Sequence, residues 1–205
     1  MIWPRRLKDI EEPVLVTERL RLSPPLMGDF NEWRRLRSDG WDFLSRWEPA
    51  RDPRHYTRNG FRARVDWAQR MIEDGRAVPL FIRPLDGGPM LGAITLDNIR
   101  RGVSQQGTIG YWLGEPHVGK GYMTEAVSAV ISYAFFDLDL SRIEAAILPH
   151  NSASRKVLES VGFQREALLP AYLKIADQWQ DHILYSHLRS DRAAARVIHE
   201  DAQPG

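Results

Sequence analysis

At 205 residues, 43% of them apolar and 27% charged, the chain is long enough for one domain with a substantial core. A formal charge of +1 gives no field that would draw a polyanion, so no nucleic-acid partner is expected, and arginine clusters such as Arg34, Arg35 and Arg37 or Arg62 and Arg64 read as solvated helix faces. The absence of cysteine excludes disulfides, thiolate metal sites and a covalent thiol intermediate.

The opening "MIWPRRLKDIEE" lacks the apolar run of a signal peptide. The longest apolar stretch, residues 126–136, is interrupted by Ser128, Ser132 and Tyr133 and is too short to cross a bilayer. A cytoplasmic protein with no membrane partner is expected, built as a single domain over residues 1–190 with a polar tail over 191–205.

In chain order, "VTERLRLSPP" alternates Val16, Leu20 and Leu22 with polar partners and reads as a first strand. "MGDFNEWRRLRSDG" and "TRNGFRARVDWAQRMIEDG" carry helical periodicity, and "WDFLSRWEPARDP" between them reads as a loop rich in aromatics, carboxylates and prolines. "AVPLFIRP" and "PMLGAITLDNIR" flank "LDGG" as a hairpin, and "GTIGYWLG" is a further strand. That strand runs into the turn Gly119-Lys120-Gly121 and a helix with the apolar stripe Met123, Ala126, Val127, Val130, Ile131, Ala134. "SRIEAAIL" is a strand, "NSASRKVLESVGF" a capped helix, and "EALLPAYLKIADQWQDHILYSHL" a closing hairpin. The predicted fold class is α/β (α+β), with a mixed, mostly antiparallel sheet flanked by helices.

Glycines at a helix mouth let backbone N–H groups approach an anion that the helix dipole favours. The turn fails two phosphate-binding patterns. A P-loop needs Ser or Thr after Gly-Lys, and Gly121 stands there; a dinucleotide fingerprint needs glycine where Thr124 stands. Read alone, the turn is equally a tight strand–helix connection.

A third pattern extends well beyond the turn. "IGYWLGEPHVGKGYMTEA", "PHNSASRKVLESVGF" and "QWQDHILYSHL" together resemble the Gcn5-related N-acetyltransferases (GNAT), specifically the RimJ/RimL-type ribosomal-protein alanine N-acetyltransferases, and "FLSRWEPARDP" is similar to the RimJ subgroup. The resemblance spans roughly residues 15 to 190. Val118 stands where the family's loop has Gln or Arg, and Met123 where it has Gly or Ala.

The resemblance implies a GNAT acyl-CoA fold, splayed at the cofactor-binding strand, and acetyl-CoA as co-substrate. The N–H groups from Val118 through Gly119, Lys120, Gly121, Tyr122 and Met123 to Thr124 would receive the pyrophosphate, with Lys120 as an outer charge. The pantetheine arm would pair with the backbone of Tyr111, Trp112 and Leu113, the side chains of Tyr111 and Trp112 being ordinary strand aromatics. A backbone N–H near Leu113 would serve as oxyanion donor.

Asn151 and Ser154 occupy the N-cap and N3 positions of the second helix. The resemblance places Asn151 on the pantetheine arm and Ser154 beside the thioester sulfur as proton donor to the thiolate; a pure capping role is the rival reading. Glu48 is the candidate base, with a surface carboxylate as its rival reading and Asp52 and Glu115 in reserve. Phe43, Trp47 and Tyr172 would wall an acceptor groove, while Asp181 and His182 read as structural. The histidines show no ligand spacing and no metal is expected.

Transfer to an amine requires that amine to be neutral. An α-amine with pKa of about 7.7–8.0 meets this far more readily than a lysine near 10.4, a difference of roughly 2.5 units or about 3.5 kcal/mol. The expected activity is therefore direct acetylation of a protein N-terminal α-amine of the Ala/Ser type, with a ribosomal protein as the acceptor the resemblance implies. A small amine such as an antibiotic or polyamine, and a non-catalytic acyl-CoA-binding module, stand as alternatives. Either a monomer or a homodimer is compatible with the sequence.

Overall fold

A computed structural model describes residues 15–49 and 52–190, so the tail expected over 191–205 lies outside the described residues. An eight-stranded sheet in the order β1-β2-β3-β4-β5-β6-β8-β7 organises the chain. Its strands are β1 (Leu15–Val16), β2 (Leu20–Ser23), β3 (Val78–Pro84), β4 (Gly92–Arg100), β5 (Gln106–Leu113), β6 (Arg142–Ile147), β7 (Gln164–Ile175) and β8 (Gln178–Leu188). Every pairing is antiparallel except β5 with β6.

Helices α1 (Phe30–Asp39), α2 (Trp41–Leu44) and α3 (Arg58–Glu73) precede β3, α4 (Tyr122–Ser132) follows β5, and α5 (Ser152–Ser160) follows β6. The helices sort onto the two faces of the sheet by their apolar stripes. Phe30 and Trp33 of α1 and Phe61 and Val65 of α3 pack against Phe81 and Ala93 on one face. On the other face α4 and α5 cover Ile94, Leu96, Ile109, Ile143 and Ala145. All members of the predicted α4 stripe are buried, none more than 7% exposed. Burying an aliphatic side chain contributes about 1.5–3 kcal/mol, so this stripe holds α4 down despite the glycines at its entry.

Two local expectations change. The first strand divides into β1 and β2 because Thr17 makes a turn: its hydroxyl accepts the Leu20 N–H at 2.9 Å, and its own N–H donates to the Leu20 carbonyl at 2.9 Å. The aromatic segment 41–53 also contains α2 and a 3-10 turn, Ser45–Trp47, anchored by the buried Leu44. A second 3-10 turn, Pro53–Tyr56, starts where the Asp52 carboxylate accepts the Arg54 N–H at 2.8 Å.

The relation of β5 to β6 positions the site. They pair only over Gln106–Thr108 and Arg142–Glu144. Beyond that, β5 keeps following β4 as far as Leu113, and β6 keeps following β8 as far as Ile147. The sheet therefore opens into a V between residues 109–113 and 145–148.

Candidate active site

A cavity of about 1170 Å³ fills this V and continues onto the face covered by α1–α3. Its walls come from β5, β6, the turn before α4, the start of α5 and the α1–α3 segment. That exceeds the roughly 300–1,000 Å³ of an ordinary small-molecule pocket and leaves room for two reactants side by side.

The glycine turn before α4 presents open backbone. Gly119 and Gly121 both lie in the left-handed region, at φ 75° and 79°, where only glycine sits without strain. A Cβ on Gly119 would meet nothing within 4 Å, so the backbone there is open to an approaching group. The N–H groups of Tyr122, Met123 and Thr124, in the first turn of α4, lack intrahelical carbonyls. Met123 packs into the core at 6% exposure and also lines the cavity.

Arg19 braces the turn from β2's side. Its Nη1 donates to the Lys120 carbonyl at 3.1 Å, its Nε to Glu125 at 2.6 Å, and its guanidinium lies 5.0 Å from the Tyr122 ring centre. Burial pushes the Glu125 carboxyl up, but hydrogen bonds from the Thr17 hydroxyl and the Arg19 N–H and guanidinium outweigh it and hold the group below its ordinary value. Lys120 itself is exposed and does not line the cavity.

Register decides what β5 offers to the V. The Gly114 N–H donates to the Leu91 carbonyl at 2.8 Å, which makes Trp112 and Gly110 the residues that also exchange hydrogen bonds with β4. The N–H and C=O groups of Tyr111 and the N–H of Leu113 then point the other way, toward the missing neighbour. This places a peptide-like edge, with the Leu113 N–H at its end, along the cavity wall.

Across the V, Asn151 caps α5 by accepting the Ser154 N–H at 3.0 Å. That satisfies the N3 donor and leaves the Ser154 hydroxyl free of capping work. The hydroxyl donates instead to the Tyr111 phenol at 2.9 Å, and the phenol donates to the Ser154 carbonyl at 3.3 Å. Burial pushes the Tyr111 phenol up to about 12, against the lowering effect of the Ser154 hydrogen bond. The Tyr111 side chain is thus more than the ordinary strand aromatic read from sequence. It bridges strand to helix across the V.

On the other face, Glu48, Phe43 and Trp47 line the cavity as expected, and Trp47 reaches the loop before α5 through a ring contact with His150 at 5.4 Å. Glu48 is gripped by Arg37, Nη1 to Oε1 at 2.6 Å and Nη2 to Oε2 at 2.5 Å. Arg37 is only 3% exposed and stacks on Trp112, so it is no solvated helix-face residue; Arg64 also faces the cavity. The pairing requires α1 and the 41–53 segment to fold against each other, which no local pattern reveals.

Tyr172 stands outside the cavity wall, exposed on β7, and touches the site only edge-on through His182 at 5.8 Å. Asp52 is paired with Arg54 on the surface and Glu115 is exposed; neither lines the cavity. Asp181 accepts the Ala171 N–H at 2.8 Å, a structural bond at the irregular stretch of β7, whereas His182 lines the cavity with its Nδ1 3.0 Å from the Gln180 carbonyl.

Thr95, Asp97 and Gly110 are further lining residues that the sequence reading passed over. A signal existed: Thr95 and Asp97 alternate with the buried Ile94 and Leu96 on a central strand, and polar residues on one face of such a strand call for a cavity. Among the described residues no group of three or more His, Asp or Glu is placed to hold a metal.

Comparison with known proteins agrees with this geometry. A family model described as an acetyltransferase (GNAT) domain matches residues 19–164. The chain is 35% identical over 178 residues to the probable N-acetyltransferase YjcK of Bacillus subtilis, covering 87% of this chain and 98% of that one. It is 33% identical over 172 residues to the [ribosomal protein uS5]-alanine N-acetyltransferase of Escherichia coli, covering 83% and 88%. Among solved structures, Mycobacterium smegmatis RimJ in complex with CoA-disulfide superposes with a TM-score of 0.80 at 30% identity, covering 89% of each chain. The splayed sheet, the glycine turn and the matched sequence span place the chain in the GNAT acetyltransferase family, as an N-acetyltransferase.

Proposed function

We propose that this protein transfers the acetyl group of acetyl-CoA directly to the N-terminal α-amine of a protein, of the Ala/Ser-leading type and with a ribosomal protein as acceptor. The cofactor half of this reading is supported by the V between β5 and β6, the open glycine turn and the CoA-bound relative. The pyrophosphate would meet the N–H groups of residues 118–124, and the pantetheine amides the free edge of Tyr111 and Leu113, with Asn151 facing them from α5. The Leu113 N–H would receive the charge developing on the thioester oxygen.

The acceptor half rests on one observation: the acceptor side of the cavity is not acidic. Its carboxylates are Asp97 and Glu48, the latter paired with Arg37, and Arg64 lines the same side. A polyamine site needs surplus carboxylate, and a lysine site needs a strong base. An α-amine, already neutral to about a tenth at pH 7, needs neither. Glu48, held by Arg37, would orient the amine and take its proton through water, a weak base matched to an easy task. In the step, the amine lone pair forms a bond to the acetyl carbon, the C–S bond breaks with its electron pair moving to sulfur, and the amine proton passes toward Glu48.

The test is a panel of short peptides leading with Ala, Ser, Thr or Met, incubated with acetyl-CoA, with CoA release followed and the acetyl group located by mass spectrometry. Acetylation of the α-amine of the Ala- or Ser-leading peptides supports the reading. Turnover of small amines without turnover of any peptide contradicts it.

A further inference from the structure

The hydroxyl pair that closes the V has a consequence for the departing sulfur, resting on the cofactor placement above. A serine at N3 of a helix ordinarily spends its hydroxyl on the cap. Here Asn151 does the capping, and the Ser154 hydroxyl has Tyr111 as its hydrogen-bond partner, at 2.9 Å. Two hydroxyls in contact can reverse polarity. In the resting arrangement Ser154 donates to the phenol and the phenol to the Ser154 carbonyl at 3.3 Å. Turned around, the phenol donates to Oγ, and the serine proton is free to point into the cavity. Donors in series polarise one another, so the serine becomes a better donor than it would be alone.

We infer that Tyr111 is a positioning residue that acts through Ser154, orienting and polarising its hydroxyl so that it hydrogen-bonds the CoA thiolate as the C–S bond breaks. The pair stabilises the thiolate without giving it a proton. Burial holds the Tyr111 phenol near 12, whereas an ordinary thiol titrates at about 8.5, so proton transfer along the chain would run uphill and leave a buried phenolate. The electron pair of the broken C–S bond therefore stays on sulfur, which takes its proton from water after the acetyl group has left. In this inference the serine acts as a hydrogen-bond donor, where the resemblance implied a proton donor. Tyr111 lies 43 positions from Ser154 in the chain, and no motif connects them.

The experiment titrates the thiol of bound CoA by the ultraviolet absorbance of its thiolate, in the wild-type protein, Tyr111→Phe, Ser154→Ala and the double variant, with no acceptor present. The expected result is a thiol pKa lower by about one unit in the wild type than in Ser154→Ala, since a hydrogen bond to a charged group favours the charged form. Tyr111→Phe should lose most of this shift, and the double variant should match Ser154→Ala. In turnover, Tyr111→Phe should lower kcat about three- to tenfold while KM for acetyl-CoA changes less than twofold, and Ser154→Thr should restore most of the loss seen in Ser154→Ala.

Equal thiol titration in all four proteins, or a Tyr111→Phe effect of undiminished size in the Ser154→Ala background, would overturn the inference alone. Failure of the wild type to bind CoA would overturn the cofactor placement and the inference with it. Should Tyr111→Phe not fold, Ser154→Ala against Ser154→Thr still decides whether the hydroxyl lowers the thiol pKa.

Discussion

Arg37 and Glu48 meet through two parallel hydrogen bonds of 2.6 and 2.5 Å, and the guanidinium lies 4.8 Å from the centre of the Trp112 ring. A candidate base, a buried cation and strand β5 are thereby one packed unit. Burial pushes the Arg37 guanidinium down, but hydrogen bonding and attraction to Glu48 more than restore it, so it stays charged.

Removing Glu48 should therefore cost stability as well as activity. Glu48→Ala leaves a guanidinium that is 3% exposed without its counter-ion, a loss of about 3 kcal/mol or more by the usual behaviour of broken buried pairs. Urea unfolding of the variant checks this. A change below about 0.5 kcal/mol would mean that water in the cavity solvates Arg37 fully.

Gly110 sits mid-strand with a negative φ, and a Cβ built on it meets nothing within 4 Å. The backbone does not require glycine there, and a side chain would stand in the cavity. Gly110→Val should fold with an unchanged melting temperature and bind CoA normally, yet lose at least about tenfold in kcat/KM for the acceptor, as about 1.4 kcal/mol of misplacement would produce. Calorimetric CoA binding beside steady-state kinetics separates the two effects.

The turn makes the opposite demand. Gly119→Ala and Gly121→Ala each force an L-residue into the left-handed region, at about 1–2 kcal/mol. At Gly121 the new Cβ also comes within 3.3 Å of Arg19 Nη2. Both variants should bind CoA about tenfold or more weakly by isothermal titration, Gly121→Ala being the worse, and unchanged affinity would remove the turn from the phosphate site.

Glu125 gives the turn a pH dependence. Its folded-state carboxyl lies below the ordinary value of 4.5, so its contribution to stability is complete above that value and is lost as pH falls through the depressed folded-state value. Melting temperature followed downward from pH 6 should fall more steeply for the wild type than for Glu125→Gln, with the two curves converging in acid. Parallel curves would show that the Arg19–Glu125 bond adds nothing to the fold.

Much of this architecture was legible along the chain because it depends on local periodicity. The α4 stripe, the hairpin turns and the Asn151 cap are patterns within one or two elements, and each lies where the sequence places it. The family motifs carried the splayed strand and the glycine turn as well. What local pattern could not reveal are contacts made by the fold. Arg37 looked solvated because its neighbours Arg34 and Arg35 are exposed, and only the packing of α1 on the 41–53 segment buries it against Glu48. Tyr111 meets Ser154 because β5 and β6 part company, and Tyr172, in the irregular stretch of β7 between Leu169 and Leu173, lies outside the cavity.

The most direct test of the account is a comparison of kcat/KM for the two amines of one acceptor, an Ala-leading peptide with an internal lysine, against the same peptide blocked at its N-terminus and against spermidine. The account predicts at least a hundredfold preference for the α-amine, in keeping with the roughly 2.5-unit difference between the two amines and the absence of surplus carboxylate in the cavity. Comparable acetylation of the lysine side chain or of spermidine would contradict it.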